Sequence, residues 1–116
     1  MRNSSIEGTE SEHGLRIISR KKLRQAVERH KEYKSLESQL DGWYRIAKKA
    51  RWKSIDDVRQ TYSHADGVPA GKRVFTVFNV CGNTFRLITE IFYKDQIVLI
   101  RHVLTHNEYD RGGWKK

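Results

Sequence analysis

Apolar positions along the chain follow two regimes: spacings of three and four up to about residue 62, and dense clusters of aliphatic and aromatic residues after residue 72. Leu15-Arg16-Ile17-Ile18 reads as a short opening strand. Ser19 is placed to cap a helix starting at Arg20, on which Leu23, Ala26, Val27 and His30 share one face. Leu36, Leu40, Trp43, Ala47 and Ala50 form a stripe that predicts a second helix over about 35–51, weakened locally but not ended by Gly42. Ser54-Ile55-Asp56-Asp57 resembles a capping box and opens a short helix to about Tyr62. Gly67, Pro69 and Gly71 make 63–72 a loop. Segments 73–81, 84–93 and 96–104, rich in Val, Ile, Phe and Thr, then predict three strands, and 105–116 form a short tail. A strand, two to three helices and a three-stranded antiparallel meander make an α+β domain of two layers.

Turn positions turn this pattern into a register. A Gly82-Asn83 turn, with Gly first as type II′ requires, sets Asn79 opposite Arg86 and Arg73 opposite Phe92. A Lys94-Asp95 turn sets Ile88 opposite Arg101. One face then carries Val74, Thr76, Phe78, Val80, Phe85, Leu87, Thr89, Ile91, Val98, Ile100 and Leu104, and should meet the helices. The other carries Arg73, Asn79, Arg86, Glu90 and Arg101 among Phe75, Val77, Ile88 and Leu99. Arg86 and Arg101 become diagonal neighbours, which repel unless an anion or Glu90 lies between them.

Charge adds a partner class. The 116 residues carry a net charge of +9, but residues 1–14 hold Arg2 against Glu7, Glu10 and Glu12, leaving +11 for residues 15–116. That division marks 1–14 as a polar, disordered extension and 15–116 as the folded domain. A small domain with this excess attracts polyanions and gains affinity by releasing counterions from nucleic acid. The single Cys81 makes no internal disulfide, and charges interrupt every apolar run, so a cytoplasmic protein with no membrane partner is expected. His30 and His64 lack the neighbours a zinc site needs, so no metal is expected.

The candidate chemistry lies where the last strand ends. His106 and Tyr109 follow it directly. An imidazole can exchange a proton with a ribose hydroxyl, and a tyrosine can stack on a base or, with its pKa lowered by cations, act as a base. Arginines stabilise the charge of a phosphorane-like transition state. These are the parts of metal-free RNA cleavage by a 2′-hydroxyl. Trp43 belongs to the core stripe, while Trp52 either closes the core or stacks on a base.

Several blocks in order resemble the HigB toxins of the RelE-like superfamily: Arg16-Ile17-Ile18-Ser19, Trp43-Tyr44 with Ala47-Lys48-Lys49-Ala50, Trp52-Lys53-Ser54 with Asp57-Val58, Val77-Phe78-Asn79-Val80, Gly82-Asn83, Arg86-Leu87-Ile88, Ile100-Arg101, and Thr105-His106 with Tyr109-Asp110. The resemblance implies a RelE-like two-layer fold and the toxin of a type II toxin–antitoxin system. Such a toxin is an endoribonuclease that cleaves mRNA on the ribosome and needs no cofactor. Its partners are a helix-turn-helix antitoxin of HigA type, mRNA and ribosomal RNA, with operator DNA reached only through the antitoxin. Carried over residue by residue, Arg86 is the main transition-state stabiliser and Arg101 a second phosphate contact. His106 and Tyr109 form the acid/base pair in either order. Lys72 and Arg73 hold the RNA backbone, and Asn79 shares the face with them. Lys48, Lys49, Arg51 and Lys53 meet ribosomal RNA or message, or else simply complement a helix C-terminus. The competing readings are a non-catalytic RNA- or ribosome-binding module and a degenerate toxin that serves only as an antitoxin partner.

Overall fold

In the computed structural model the described residues are 14–115. The extension expected over 1–14 lies outside them except for Gly14. Gly14 is buried, and a β-carbon there would overlap the Lys48 carbonyl. The chain at this point therefore lies directly against the end of a helix, an approach only glycine permits.

Strand β1 (Arg16–Ile18) leads into helices α1 (Lys21–Arg29), α2 (Lys34–Lys49) and α3 (Ile55–Thr61). Strands β2 (Asp66–Ala70), β3 (Arg73–Val80), β4 (Phe85–Phe92) and β5 (Ile97–Thr105) follow, and helix α4 (His106–Arg111) with a 3-10 turn (Gly113–Lys115) ends the chain. The sheet order is β1-β5-β4-β3-β2, with β1 parallel to β5 and every other pair antiparallel. The expected α+β two-layer architecture is present.

The main core lies between sheet and helices. Leu23 and Ala26 of α1, Leu36, Leu40, Trp43 and Ala47 of α2, and Val58 of α3 pack against Phe78, Val80, Phe85, Leu87, Val98 and Ile100. Trp43 meets Phe78 edge-on at 5.4 Å, and Trp52 stacks on the same ring at 6.1 Å. Trp52 is 3% exposed, so it closes the core and is not free to stack on a base.

Five local expectations change. Residues 63–72 are not all loop: β2 pairs with β3 along its whole length, and Pro69 is tolerated because β2 is an edge strand. Ser19 does not cap α1, since it sits at φ 72 and only its carbonyl accepts, from the Lys22 amide at 3.0 Å. Ser54 makes no side-chain cap; Asp57 instead accepts the Lys53 amide at 2.8 Å. Val74 is exposed, beyond the reach of the helices.

The fifth change alters the site. The Gly82-Asn83 register holds, with Asn79 opposite Arg86, and Gly82 takes φ 64. Between β4 and β5 the register is as expected from Phe92↔Ile97 to Thr89↔Ile100, then slips so that Ile88 faces His102 and not Arg101. One extra residue on β5 is a β-bulge, and every side chain after it changes face. Val103 therefore joins the helix-side core, while Leu104 turns to the opposite face. There Phe75, Val77, Ile88 and Trp114 form a second, smaller core with Leu104 and Tyr109 against it. The expected tail is thus a folded cover over part of the open sheet face.

Candidate active site

Helix α4 begins where β5 ends because Thr105 caps it. The Thr105 hydroxyl accepts the Glu108 amide at 3.2 Å, and the Glu108 carboxylate accepts the Thr105 amide at 2.9 Å, a reciprocal capping box. The His106 amide also donates to the Thr84 carbonyl at 3.0 Å, which ties the helix start to the β3–β4 turn. His106 is thereby held beside Arg86.

Arg86 is 8% exposed, and its terminal nitrogens are engaged on every side. Nη1 donates to the carbonyls of Asn83 at 3.1 Å and Phe85 at 3.2 Å. Nη2 donates to Asn83 Oδ1 at 2.9 Å and lies 3.2 Å from His106 Nδ1. None of these partners is a carboxylate. A buried guanidinium held by neutral acceptors keeps its full positive field, which makes the site receptive to an anion.

His106 bridges two partners. Its Nε2 lies 3.1 Å from Asp110 Oδ2, one helical turn on. A carboxylate can only accept here and a guanidinium can only donate, so the imidazole carries its proton on Nε2 and offers a lone pair at Nδ1. The result is a chain from Asp110 through His106 to Arg86.

Tyr109 sits beside this chain. The Arg86 guanidinium carbon is 5.6 Å from its ring centroid, and Trp114 stacks on it at 5.2 Å with an interplanar angle of 16°. Trp114 is nearly buried, donates its indole N–H to the Tyr109 carbonyl at 2.9 Å, and rests edge-on against Phe75 at 5.4 Å. Burial, Asp66 and Asp110 push the Tyr109 phenol above its usual value of 10.0, and Arg86 opposes them only in part. The lowered pKa needed for Tyr109 to act as a base is not what this environment produces.

The other sequence candidates divide by location. Asn79 is Arg86's cross-strand neighbour and belongs to the same cluster. Arg101 does not: its Nη1 is 3.8 Å from Glu90, which also lies 3.9 Å from Arg73. Glu90 therefore holds the two arginines at the middle of the open face, and the bulge removes the expected diagonal contact between Arg101 and Arg86. Lys72 is exposed at the β2–β3 turn, at the far end of β3 from Asn79. Lys48 and Lys49, in the last turn of α2, and Arg51 and Lys53, just beyond it, are all exposed. The Trp52 carbonyl among them accepts from Gln96, at the start of β5. That end of the sheet is roughly 30 Å from His106 at the rise of a β-strand.

Three contributors carried no assigned role in the sequence reading: Asn83, Asp110 and Trp114. Asp110 was within reach, because the spacing Thr105-x-x-Glu108 announces a helix and places positions 106 and 110 on one side of it. Among the described residues no cluster of three His, Cys, Asp or Glu side chains could hold a metal ion, and no helix is long and apolar enough to cross a membrane.

The mRNA interferase toxin HigB of Escherichia coli K12 is 28% identical over 96 residues, covering 83% of this chain and 88% of its own length. The mRNA interferases HigB of Escherichia coli O157:H7 and Shigella flexneri match with the same identity and coverage. A family model described as HigB toxin, the RelE-like toxic component of a toxin–antitoxin system, matches residues 36–112, a span that holds Arg86, Asn83, His106, Tyr109 and Asp110. The chain belongs to the HigB toxin family of RelE-like toxins.

Proposed function

We propose that this protein is an endoribonuclease that cleaves mRNA on the ribosome, with the Arg86–His106–Tyr109 cluster as its centre. The observation that carries the reading is the buried Arg86 guanidinium, held by neutral acceptors that include the Nδ1 lone pair of the adjacent His106 imidazole. Similarity to proteins named mRNA interferase supports the substrate class.

When a phosphodiester enters, Arg86 Nη2 exchanges His106 Nδ1 for a phosphate oxygen. The exchange frees Nδ1 to take the proton of the ribose 2′-hydroxyl. The 2′-oxygen then bonds to phosphorus, and the bond to the 5′-oxygen of the next nucleotide breaks, leaving a 2′,3′-cyclic phosphate. Asp110 steadies the imidazolium as it forms. Tyr109, kept protonated by its surroundings, hydrogen-bonds the departing 5′-oxygen, which takes a proton from water as it leaves, and His106 returns its proton to the hydroxide so formed. Arg86 carries the extra charge of the transition state.

Residues 15–116 act as the toxin domain in the cytoplasm, restrained by a helix-turn-helix antitoxin of HigA type that also links it to operator DNA. Lys48, Lys49, Arg51 and Lys53 contact ribosomal RNA away from the cut, while Lys72, Arg73 and Asn79 guide the message along the open face. Primer extension on an mRNA under translation tests the reading. Cleavage products with the parent protein and none with Arg86→Ala are expected; unchanged cleavage by a folded Arg86→Ala overturns the assignment.

A further inference from the structure

A second basic site lies along the free edge of β5. β1 pairs with β5 only from Ile97 to Leu99. Beyond that the edge is flanked by α1, whose Lys22 donates from Nζ to the Arg101 carbonyl at 3.0 Å. A cavity of about 150 Å³ opens between them, lined by Lys22, Gln25 and Arg29 of α1 and by Arg101 and His102 of β5, together with the next two β5 residues. Three permanent cations line it and no carboxylate does. Of these, Arg101 also reaches Glu90 on the open face.

Two further observations concern the same residues. Arg101 Nε is buried with no hydrogen-bond acceptor among the described residues, although Nη1 reaches toward Glu90. The His102 imidazole is pushed below its ordinary value mainly by burial, with Lys22 and Arg101 adding a smaller contribution from their positive potential. Like charges on concave walls concentrate that potential, and guanidinium and ammonium groups both suit a phosphate.

We propose that this cavity is a phosphate subsite for the RNA backbone, engaging a phosphodiester near the one that is cut. The inference rests on the endoribonuclease reading and extends it. Continuity favours RNA over an acidic peptide. The strand that supplies Arg101 and His102 ends at Thr105, and His106 follows it. That separation is roughly 13–17 Å along the strand, so one stretch of backbone can occupy both places.

The test follows the ring resonances of His102 by NMR while a short 2′-O-methyl oligoribonucleotide, which lacks the attacking hydroxyl, is added. We expect the ring signals to shift on binding. Lys22→Gln with Arg29→Gln should weaken affinity about tenfold and lower the salt slope by about one to two, while Arg86→Ala should leave the His102 response in place. An oligonucleotide that does not move the His102 ring overturns the subsite. Inorganic phosphate giving the full response at the same concentration makes it a free-anion site, and tighter occupation by a Glu-rich peptide makes it a protein contact; either result overturns the proposal. If the parent cleaves translated mRNA while His102 stays silent, only the subsite fails. If it neither cleaves nor binds RNA, both readings fail.

Discussion

His106 Nδ1 lies 3.2 Å from a terminal nitrogen of Arg86, so the residue proposed to stabilise charge masks the lone pair proposed to move the proton. The resting site is closed on itself until an anion draws Arg86 away. His106→Ala removes the proton acceptor and is expected to lower cleavage by roughly 10²–10⁴-fold. Arg86→Lys, which keeps the charge but not the four-point grip, should lose about as much as the removal of one oxyanion donor, roughly 10²–10³-fold. Single-turnover cleavage of ribosome-bound mRNA measures both.

Asp110 fixes which His106 nitrogen carries the proton. Asp110→Asn keeps a hydrogen-bond acceptor but loses the charge, whereas Asp110→Ala loses both. Cleavage rates should therefore fall in the order parent, Asn, Ala, with KM little changed. Equal rates for the parent and both variants would show that the pair has no part in positioning the imidazole.

Tyr109 stays a neutral phenol throughout the physiological range, because its value is displaced upward from 10.0. Tyr109→Phe should lower the rate while leaving the shape of the pH profile unchanged below about pH 10. Loss of an alkaline limb in the variant would mean that the phenol titrates during turnover. For stability the sign is the same: a raised folded value keeps its contribution below pH 10, and that contribution is lost as pH rises beyond it.

Burial and the cations Lys22 and Arg101 hold His102 below 6.5, so its neutral form is favoured in the folded state. Its contribution is present above the unfolded value and disappears as pH falls through the lower folded one. The melting temperature of the parent should drop between pH 7 and pH 5 by more than that of His102→Asn. Identical drops would remove His102 from the account.

Much of this was legible in the chain, and the exceptions have physical causes. The two turn registers assigned the faces correctly from Phe75 to Ile100, because one face of that sheet must be buried. The bulge broke the register where Arg101 and His102, two polar residues in a row, interrupt a strand that is otherwise almost wholly apolar. β2 was hidden by Gly67 and Pro69, whose local preference for turns is overridden by pairing with β3. Helix α4 is too short to show a periodicity, and only its cap betrays it. Arg86, His106 and Tyr109 lie together in the structure, since a register and a strand end suffice to bring them there. The separation of Arg101 depended on one inserted residue.

Trp114 secures the end of the chain by its stack on Tyr109 and its edge against Phe75. Trp114→Ala should cost about 3 kcal/mol, the lower end for deleting a buried aromatic, and should reduce cleavage by loosening Tyr109. Trp114→Phe should restore most of the stability, as chemical denaturation would show.

The slip opposite Ile88 and Thr89 acts on β5 as a phase shift acts on a wave. Upstream of it the strand sends its even-numbered residues, Val98 and Ile100, into the helix layer; downstream it sends Val103 there and frees Leu104 to seat the closing segment on the far side. A strand of uniform phase would deliver its end with the opposite polarity, turning Leu104 toward the helices and carrying His106 away from Arg86. Deleting Arg101 therefore erases more than one charge: it resets the phase and separates His106 from Arg86, whereas Arg101→Ala keeps the phase and leaves the two side by side.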